Sequence, residues 1–357
     1  MTKAIINFKT IHKNIKNFRS QLHPKIKFCA VVKANAYSLG LIPISREIQN
    51  SVDYFSVACM GEALKLRTAG IKKAIILFGV CEDYKLALAN NITISINSVK
   101  EMKCLVQYMS NLPKRYRGKK CKIHIKVNTG MNRYGISNIW QLKGIIQIIK
   151  ENPKIQLEGL YTQLAHNMHD IDGINNALKR FAPFRSIAKS YSRKVIIHAA
   201  CSNNYEHIGA QFDMVRIGKI MYGGHPAFKT AITITSKIVA VQTMAEGEKV
   251  GYNGTETVKR PTIAAVVPCG YADLIHYRCS NTYKVLVDGK LYKILGRVCM
   301  DAIIIDATDI CNPLGKTVTI MDNKKGVTLM DMGTITNTNV CNILCSFNFD
   351  RVELVYK

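Results

Sequence analysis

The chain has 357 residues, 48% of them hydrophobic, enough to bury a full core and to form two domains or one large barrel with an addition. No apolar run reaches the roughly 18 residues of a membrane span, and the opening segment MTKAIINFKT lacks the apolar stretch of a signal peptide, so a cytoplasmic protein is expected. The net charge of +26 raises nucleic acid as a partner, and twelve scattered cysteines, with no CxxC pair, indicate neither a zinc site nor a disulfide framework.

In chain order, short apolar runs recur, each followed by a polar loop and a helical pattern. They are KFCAVVK, YFSVAC, KAIILFG, ITISIN, KIHIKVN, LEGLYTQL, KVIIHAA and MVRIG. That count and spacing predict a (β/α)8 TIM barrel, an α/β fold. Between runs the periodicity is helical, as in GEALKLRTAG, which ends on Gly70. The densest basic run, Lys114 to Lys126, carries one aromatic and leads into the strand KIHIKVN. It reads as a solvated approach to a strand, and the lysine excess along the whole chain as a device for steering anionic small molecules, with no nucleic acid or membrane partner expected.

After GGHPAF the texture changes to alternating segments such as AITITSKIVAVQT and YKVLVDGKLYKILG, the latter with an Asp288-Gly289 hairpin turn. A C-terminal all-β domain is therefore expected over residues 226–357, after a barrel over residues 1–225.

Reactive groups of a parallel barrel gather where strands end and the following loops begin. Lys33 follows the first run, Arg133 the fifth and Ser202 the seventh, while Arg216 and Gly218 lie in the eighth. A lysine ending a buried strand is a candidate Schiff-base nucleophile, since desolvation lowers its pKa. A lysine for an aldehyde, donors for a phosphate and an arginine for a ring nitrogen together describe pyridoxal 5′-phosphate. No metal ligand set is seen.

The pieces VVKANAY, KVNTGMNRYGI, GLYTQLA, HAACSN, MVRIGKIMYG, VGYNGT, VPCGYAD and GRVCMD, in this order, give the chain a plain resemblance to the alanine racemase family. The resemblance implies that Lys33 binds the cofactor and acts as one acid–base group, and that Tyr252 is the second, reaching the cofactor of the partner subunit in a homodimer. It implies that Tyr37, Ser202 and the backbone of Gly218 and Lys219 cradle the phosphate, and that Arg216 faces the pyridine nitrogen. Arg133 and the backbone N–H of Met300 are implied to bind the substrate carboxylate, and Tyr271 to line the way in. Lys126 occupies the place of a lysine that many members carry as a carbamate. The implied reaction interconverts L- and D-alanine, the D-isomer being destined for peptidoglycan.

Four positions depart from the family pattern, one of them an entry arginine that becomes Tyr277 or a shifted Arg278. Gln163 stands where members carry a histidine beside the catalytic tyrosine and the ring-facing arginine, and it cannot titrate. Cys341 stands where a tyrosine walls the substrate pocket, and the acidic residue after the YTH segment becomes Met168 or a displaced Asp170. A cysteine wall leaves room for a larger side chain, so a broader racemase acting on serine or other amino acids is the alternative to strict alanine specificity. A non-catalytic pyridoxal-phosphate protein, a related barrel decarboxylase and a nucleic-acid binder are the other readings. VGYNGT, GYAD and GRVCMD argue against the first, which lacks a second domain.

Overall fold

The computed structural model describes residues 2–111, 116 and 118–357, so Lys114, Arg115 and Arg117 of the basic run lie outside the described residues. The chain divides into two compact units. A barrel unit comprises Phe18–Ala36 and Gly40–Gly218; a β unit comprises Lys219–Lys357 with the N-terminal segment through Asn17 and Tyr37–Leu39.

The first strand, β1 (Lys3–Ile6), belongs to the β unit. The barrel is built from β2 (Lys27–Val31), β3 (Tyr54–Val57), β4 (Ala74–Leu77), β5 (Ile92–Ile96), β6 (Cys121–Val127), β7 (Ile155–Thr162), β8 (Ile196–His198) and β9 (Met214–Ile217). Each overlaps one of the eight apolar runs, β6 starting one residue and β7 two residues before theirs. All are parallel in sequential order, with β9 beside β2. Between β8 and β9 closure is completed by a bridge from Cys201 to Arg216 and by bonds from Asp213 N to Ile197 O (3.0 Å) and Arg216 N to Ala200 O (3.1 Å).

Near-continuous apolar runs suit strands buried on both faces, and Cys29, Tyr54, Ile76 and Met214 pack into one cluster of the barrel core. Several helices start where polar side chains satisfy their first N–H groups. Ser98 caps Val99–Ser110, Asn138 and Gln141 form a capping box on Ile139–Glu151, and Asp170 caps Ile171–Tyr191.

The β unit continues with β10 (Ile232–Lys237), β11 (Ala240–Met244), the short pair β12 (Lys249–Val250) and β13 (Glu256–Thr257), β14 (Thr262–Val267), β15 (Lys284–Val287), β16 (Lys290–Leu295), β17 (Ile303–Asp306), β18 (Thr317–Met321) and β19 (Glu353–Tyr356). Its main sheet runs β11-β14-β17-β16-β15-β18-β10-β1-β19. The expected hairpin is present: Asp288 (φ 50°) and Gly289 (φ 83°) join β15 to β16.

The unit boundaries depart from a simple division at residue 225. β1 pairs antiparallel with β10 and parallel with β19, from Lys3 opposite Thr235 and Glu353, so the N-terminal segment completes the β unit's sheet. Such pairing joins residues over 200 positions apart and leaves no mark in local sequence. The expected β domain is borne out by this sheet, and two short helices near its end, Leu329–Thr336 and Val340–Cys345, accompany it.

Candidate active site

Within the barrel unit, the C-terminal strand ends gather the expected polar groups. Lys33 follows β2 and is exposed. The chain after it turns through five left-handed residues, Ala34, Asn35, Ala36, Tyr37 and Ser38, with φ between 53° and 67°. None is glycine, and left-handed geometry costs about 1–2 kcal/mol per residue, so local strain is held here by surrounding bonds. Ala36 N donates to Val32 O at 2.8 Å, Leu41 N to Asn35 Oδ1 at 2.8 Å, and Asn35 N to Glu62 Oε1 at 3.3 Å.

Lys126, on β6, is the buried lysine among the described residues, at 4% exposure. Its Nζ lies 5.1 Å from the Tyr134 ring centre and 5.7 Å from that of Tyr161. Burial, then the charges of Arg133, Arg216 and Lys33, push its pKa down to about 8. Lys126 is thus desolvated within β6, while Lys33 is exposed just past the end of β2. Arg133 Cζ lies 6.0 Å from the Tyr134 ring centre and Arg216 Cζ 5.5 Å from that of Tyr161, so both arginines flank the two rings that Lys126 faces.

The loop bearing Arg133 is pinned by Asn128, whose Oδ1 accepts from Gly130 N (3.1 Å) and Asn132 N (3.0 Å). Gly135, at φ 116°, passes so close to Asn128 that a Cβ would meet its nitrogen at 2.8 Å, so only glycine fits.

Arg216 is almost fully buried. Nη1 donates to His198 Nδ1 (2.9 Å), and Nη2 to Thr162 O (2.7 Å), Ala199 O (2.9 Å) and Gln163 Oε1 (3.3 Å). Gln163 thus keeps the contact to the arginine, while its Nε2 donates to Leu164 O (3.2 Å) and Cys201 Sγ (3.4 Å). Tyr161 packs flat on His198, with ring centres 4.8 Å apart, and its hydroxyl, pushed up to about 12 chiefly by burial, meets Ser95 Oγ at 3.0 Å. The loops after β8 and β9 are tied where Gly218 N donates to Ser202 Oγ at 3.1 Å. Asp170 is the cap of the long helix and also meets His166 Nδ1 at 2.6 Å, so helix initiation accounts for it.

Within the β unit, Tyr252 is 68% exposed on a turn in which Gly251, Asn253 and Gly254 all have positive φ. Tyr271 packs edge-on to Tyr277, with centroids 6.0 Å apart. Its N–H donates to Cys299 O (3.0 Å) and that of Ala272 to Met300 O (2.9 Å), which holds Tyr271 and Met300 together. Tyr37 is buried against Tyr222, with centroids 5.6 Å apart. Lys219 borders a cavity of about 310 Å³ with Gly224, Gly333, Asn339 and Val340. Cys341 is half-buried in the first turn of its helix, and its N–H donates to Asn339 Oδ1 at 2.8 Å.

Sequence reasoning did not single out Tyr161, His198, His124 or Glu158. Their signal is polarity inside runs that are otherwise apolar: His124 and Lys126 stand two apart on β6, hence on one face, and both are buried. Among the described residues no group of His, Cys, Asp and Glu could hold a metal ion, and no helix is long and apolar enough to cross a membrane.

The chain matches the family profile "Alanine racemase, N-terminal domain" over residues 6–226 and "Alanine racemase, C-terminal domain" over residues 231–356. It is 33% identical to the alanine racemase of Lactococcus lactis subsp. cremoris, covering 100% of this chain and 98% of that one. Among solved structures, alanine racemase from Clostridium difficile matches with TM-score 0.88 at 27% identity, over 100% of this chain and 95% of that one. The Bacillus anthracis enzyme with bound L-Ala-P matches with TM-score 0.87 at 26% identity, over 100% and 95%.

Proposed function

Since the chain belongs to the alanine racemase family, matched across both of its domains, we propose that it interconverts L- and D-alanine with pyridoxal 5′-phosphate as cofactor. The family uses this cofactor. The observation that carries the reading is the cationic end of the barrel. There Arg133 and Arg216 flank the Tyr134 and Tyr161 rings that Lys126 faces, and Lys33 follows β2, an arrangement suited to a phosphorylated cofactor and a carboxylate substrate.

The donor set fits the cofactor. Lys33 would hold its aldehyde carbon, Arg216 its pyridine nitrogen, and Tyr37, Ser202, Gly218 and Lys219 its phosphate. When bound, the cofactor withdraws electrons from an attached amino acid and makes the α-proton acidic. Arg216 keeps its own proton at any working pH, so it would donate a hydrogen bond to the ring nitrogen without protonating it. Arg133 and the Met300 N–H orient the substrate carboxylate, and Tyr271 borders the approach.

Racemization needs a proton removed from one face of the α-carbon and another returned to the opposite face. Lys33 serves one face and Tyr252 of the partner subunit the other, so the working unit is a homodimer. The exposure of Tyr252 in the single chain supports this assignment. A carbamate on Lys126 supplies the anion that Arg133 lacks among its described contacts.

The test is chromatographic resolution of alanine enantiomers after incubation of the purified chain with L-alanine and pyridoxal 5′-phosphate. D-Alanine accumulates toward an equal mixture, and Lys33→Ala abolishes it. Enantiopure L-alanine after prolonged incubation of a folded chain would refute the reading.

A further inference from the structure

The barrel interior carries a line of polar side chains that the proposed chemistry leaves unused. From Arg216 it runs to His198 Nδ1; His198 Nε2 lies 2.8 Å from His124 Nδ1, and His124 Nε2 lies 3.3 Å from Glu158 Oε2. Glu158 also accepts from Thr93 Oγ1 (3.1 Å) and pairs with Lys122 Nζ (2.8 Å). Both histidines are fully buried.

Chemistry fixes the direction of every bond in the line. A guanidinium only donates, so His198 Nδ1 must be bare. His198 then carries its proton on Nε2 and donates it to His124 Nδ1. His124 in turn carries its proton on Nε2 and donates to Glu158. A cationic His198 would set N–H against N–H at Arg216. Burial and the Arg216 charge accordingly hold the His198 pKa well below its ordinary value.

Arg216 meets no carboxylate in the ion pairs of the described residues; its other acceptors are two backbone carbonyls and an amide oxygen. A buried cation without a counter-charge is costly. Glu158 ends the bonded line, and an imidazole that donates to an anion becomes a stronger acceptor at its bare nitrogen.

We propose that Glu158 is a positioning residue for Arg216, acting through His124 and His198 to fix the orientation of the guanidinium at the barrel mouth. This rests on the reading that Arg216 serves the cofactor ring, and it adds a residue at the opposite end of the barrel's polar line.

The experiment uses the full chain labelled with 15N-histidine, with and without pyridoxal 5′-phosphate, as wild type, Glu158→Gln and Glu158→Leu. Two-bond nitrogen–proton spectra report the tautomers, and racemization kinetics are measured on the same samples. The wild type shows His124 and His198 bare at Nδ1 and protonated at Nε2. Glu158→Gln keeps an acceptor, keeps both tautomers and stays within about threefold in kcat. Glu158→Leu mixes the tautomers and lowers kcat about tenfold or more, with KM for alanine changed less than about threefold.

Wild-type His198 protonated at Nδ1 would overturn the proposal, even where Glu158→Leu fails to fold. So would unchanged kcat in a folded Glu158→Leu, whatever its tautomers. A wild type that keeps the expected tautomers yet never racemizes alanine would overturn the functional reading beneath the proposal, a failure distinguishable from loss of the line itself.

Discussion

Arg216 and His198 meet at 2.9 Å with the guanidinium as donor, which fixes one side of a fully buried imidazole and one edge of the arginine together. The remaining Nη2 bonds occupy two carbonyls and Gln163. A lysine ammonium cannot reproduce this planar fork. Arg216→Lys is expected to keep the fold and lower kcat by about ten- to a hundredfold, on the order of 1.4–2.7 kcal/mol of transition-state stabilisation, measured by steady-state racemization.

Lys126 binds fewer protons in the folded chain than in the unfolded one, because its pKa falls to about 8 from 10.5. In CO2-free buffer its burial cost is fully present below pH 8 and is relieved as pH rises from 8 to 10.5. Lys126→Met therefore raises thermal stability relative to wild type below pH 8, and the difference shrinks above it, as read by unfolding scans across pH.

The same lowered pKa leaves about half of Lys126 as free amine at pH 8 and about one part in a hundred at pH 6. With 13C-bicarbonate, a carbamate carbonyl signal should be seen near pH 8, fade toward pH 6 and vanish in Lys126→Ala.

Cys341, half-buried at the start of its helix, is expected from the family resemblance to take the place of a tyrosine at the substrate pocket. Cys341→Tyr is expected to lower the kcat/KM for L-serine relative to L-alanine by about 10-fold or more, the scale at which pocket size discriminates small side chains. Equal ratios in both proteins would remove Cys341 from specificity.

Gly270 leaves no space for a side chain: a Cβ would meet Cys299 O at 2.3 Å and Met300 O at 2.4 Å. Gly270→Ala must push these backbone atoms away, at a cost of about 1–3 kcal/mol of stability. Since the neighbouring bonds hold Tyr271 and Met300, KM for alanine should rise, and steady-state kinetics with thermal unfolding check both effects.

The barrel was legible because each of its strands is a separate apolar run, and a residue such as Arg216 at the end of MVRIG stands out against that background. What local pattern does not carry is pairing at a distance. β1 reads like any short alternating strand, and only its ladders to β10 and β19 reveal which unit it completes. Depth is equally hidden: Lys33 and Lys126 both border apolar runs, yet one is exposed and the other buried. Glu158 looked like an ordinary strand residue because its partners, His124 and Lys122, come from the neighbouring strand. Asp170 looked like a displaced gate, while its geometry is that of a helix cap.

The central claim, racemization by two bases on opposite faces, is tested most directly by Tyr252→Phe in deuterated buffer, following α-proton exchange separately in L- and D-alanine. The account predicts that exchange survives in one enantiomer and is lost from the other, with racemization abolished. Exchange at wild-type rates in both enantiomers would contradict it.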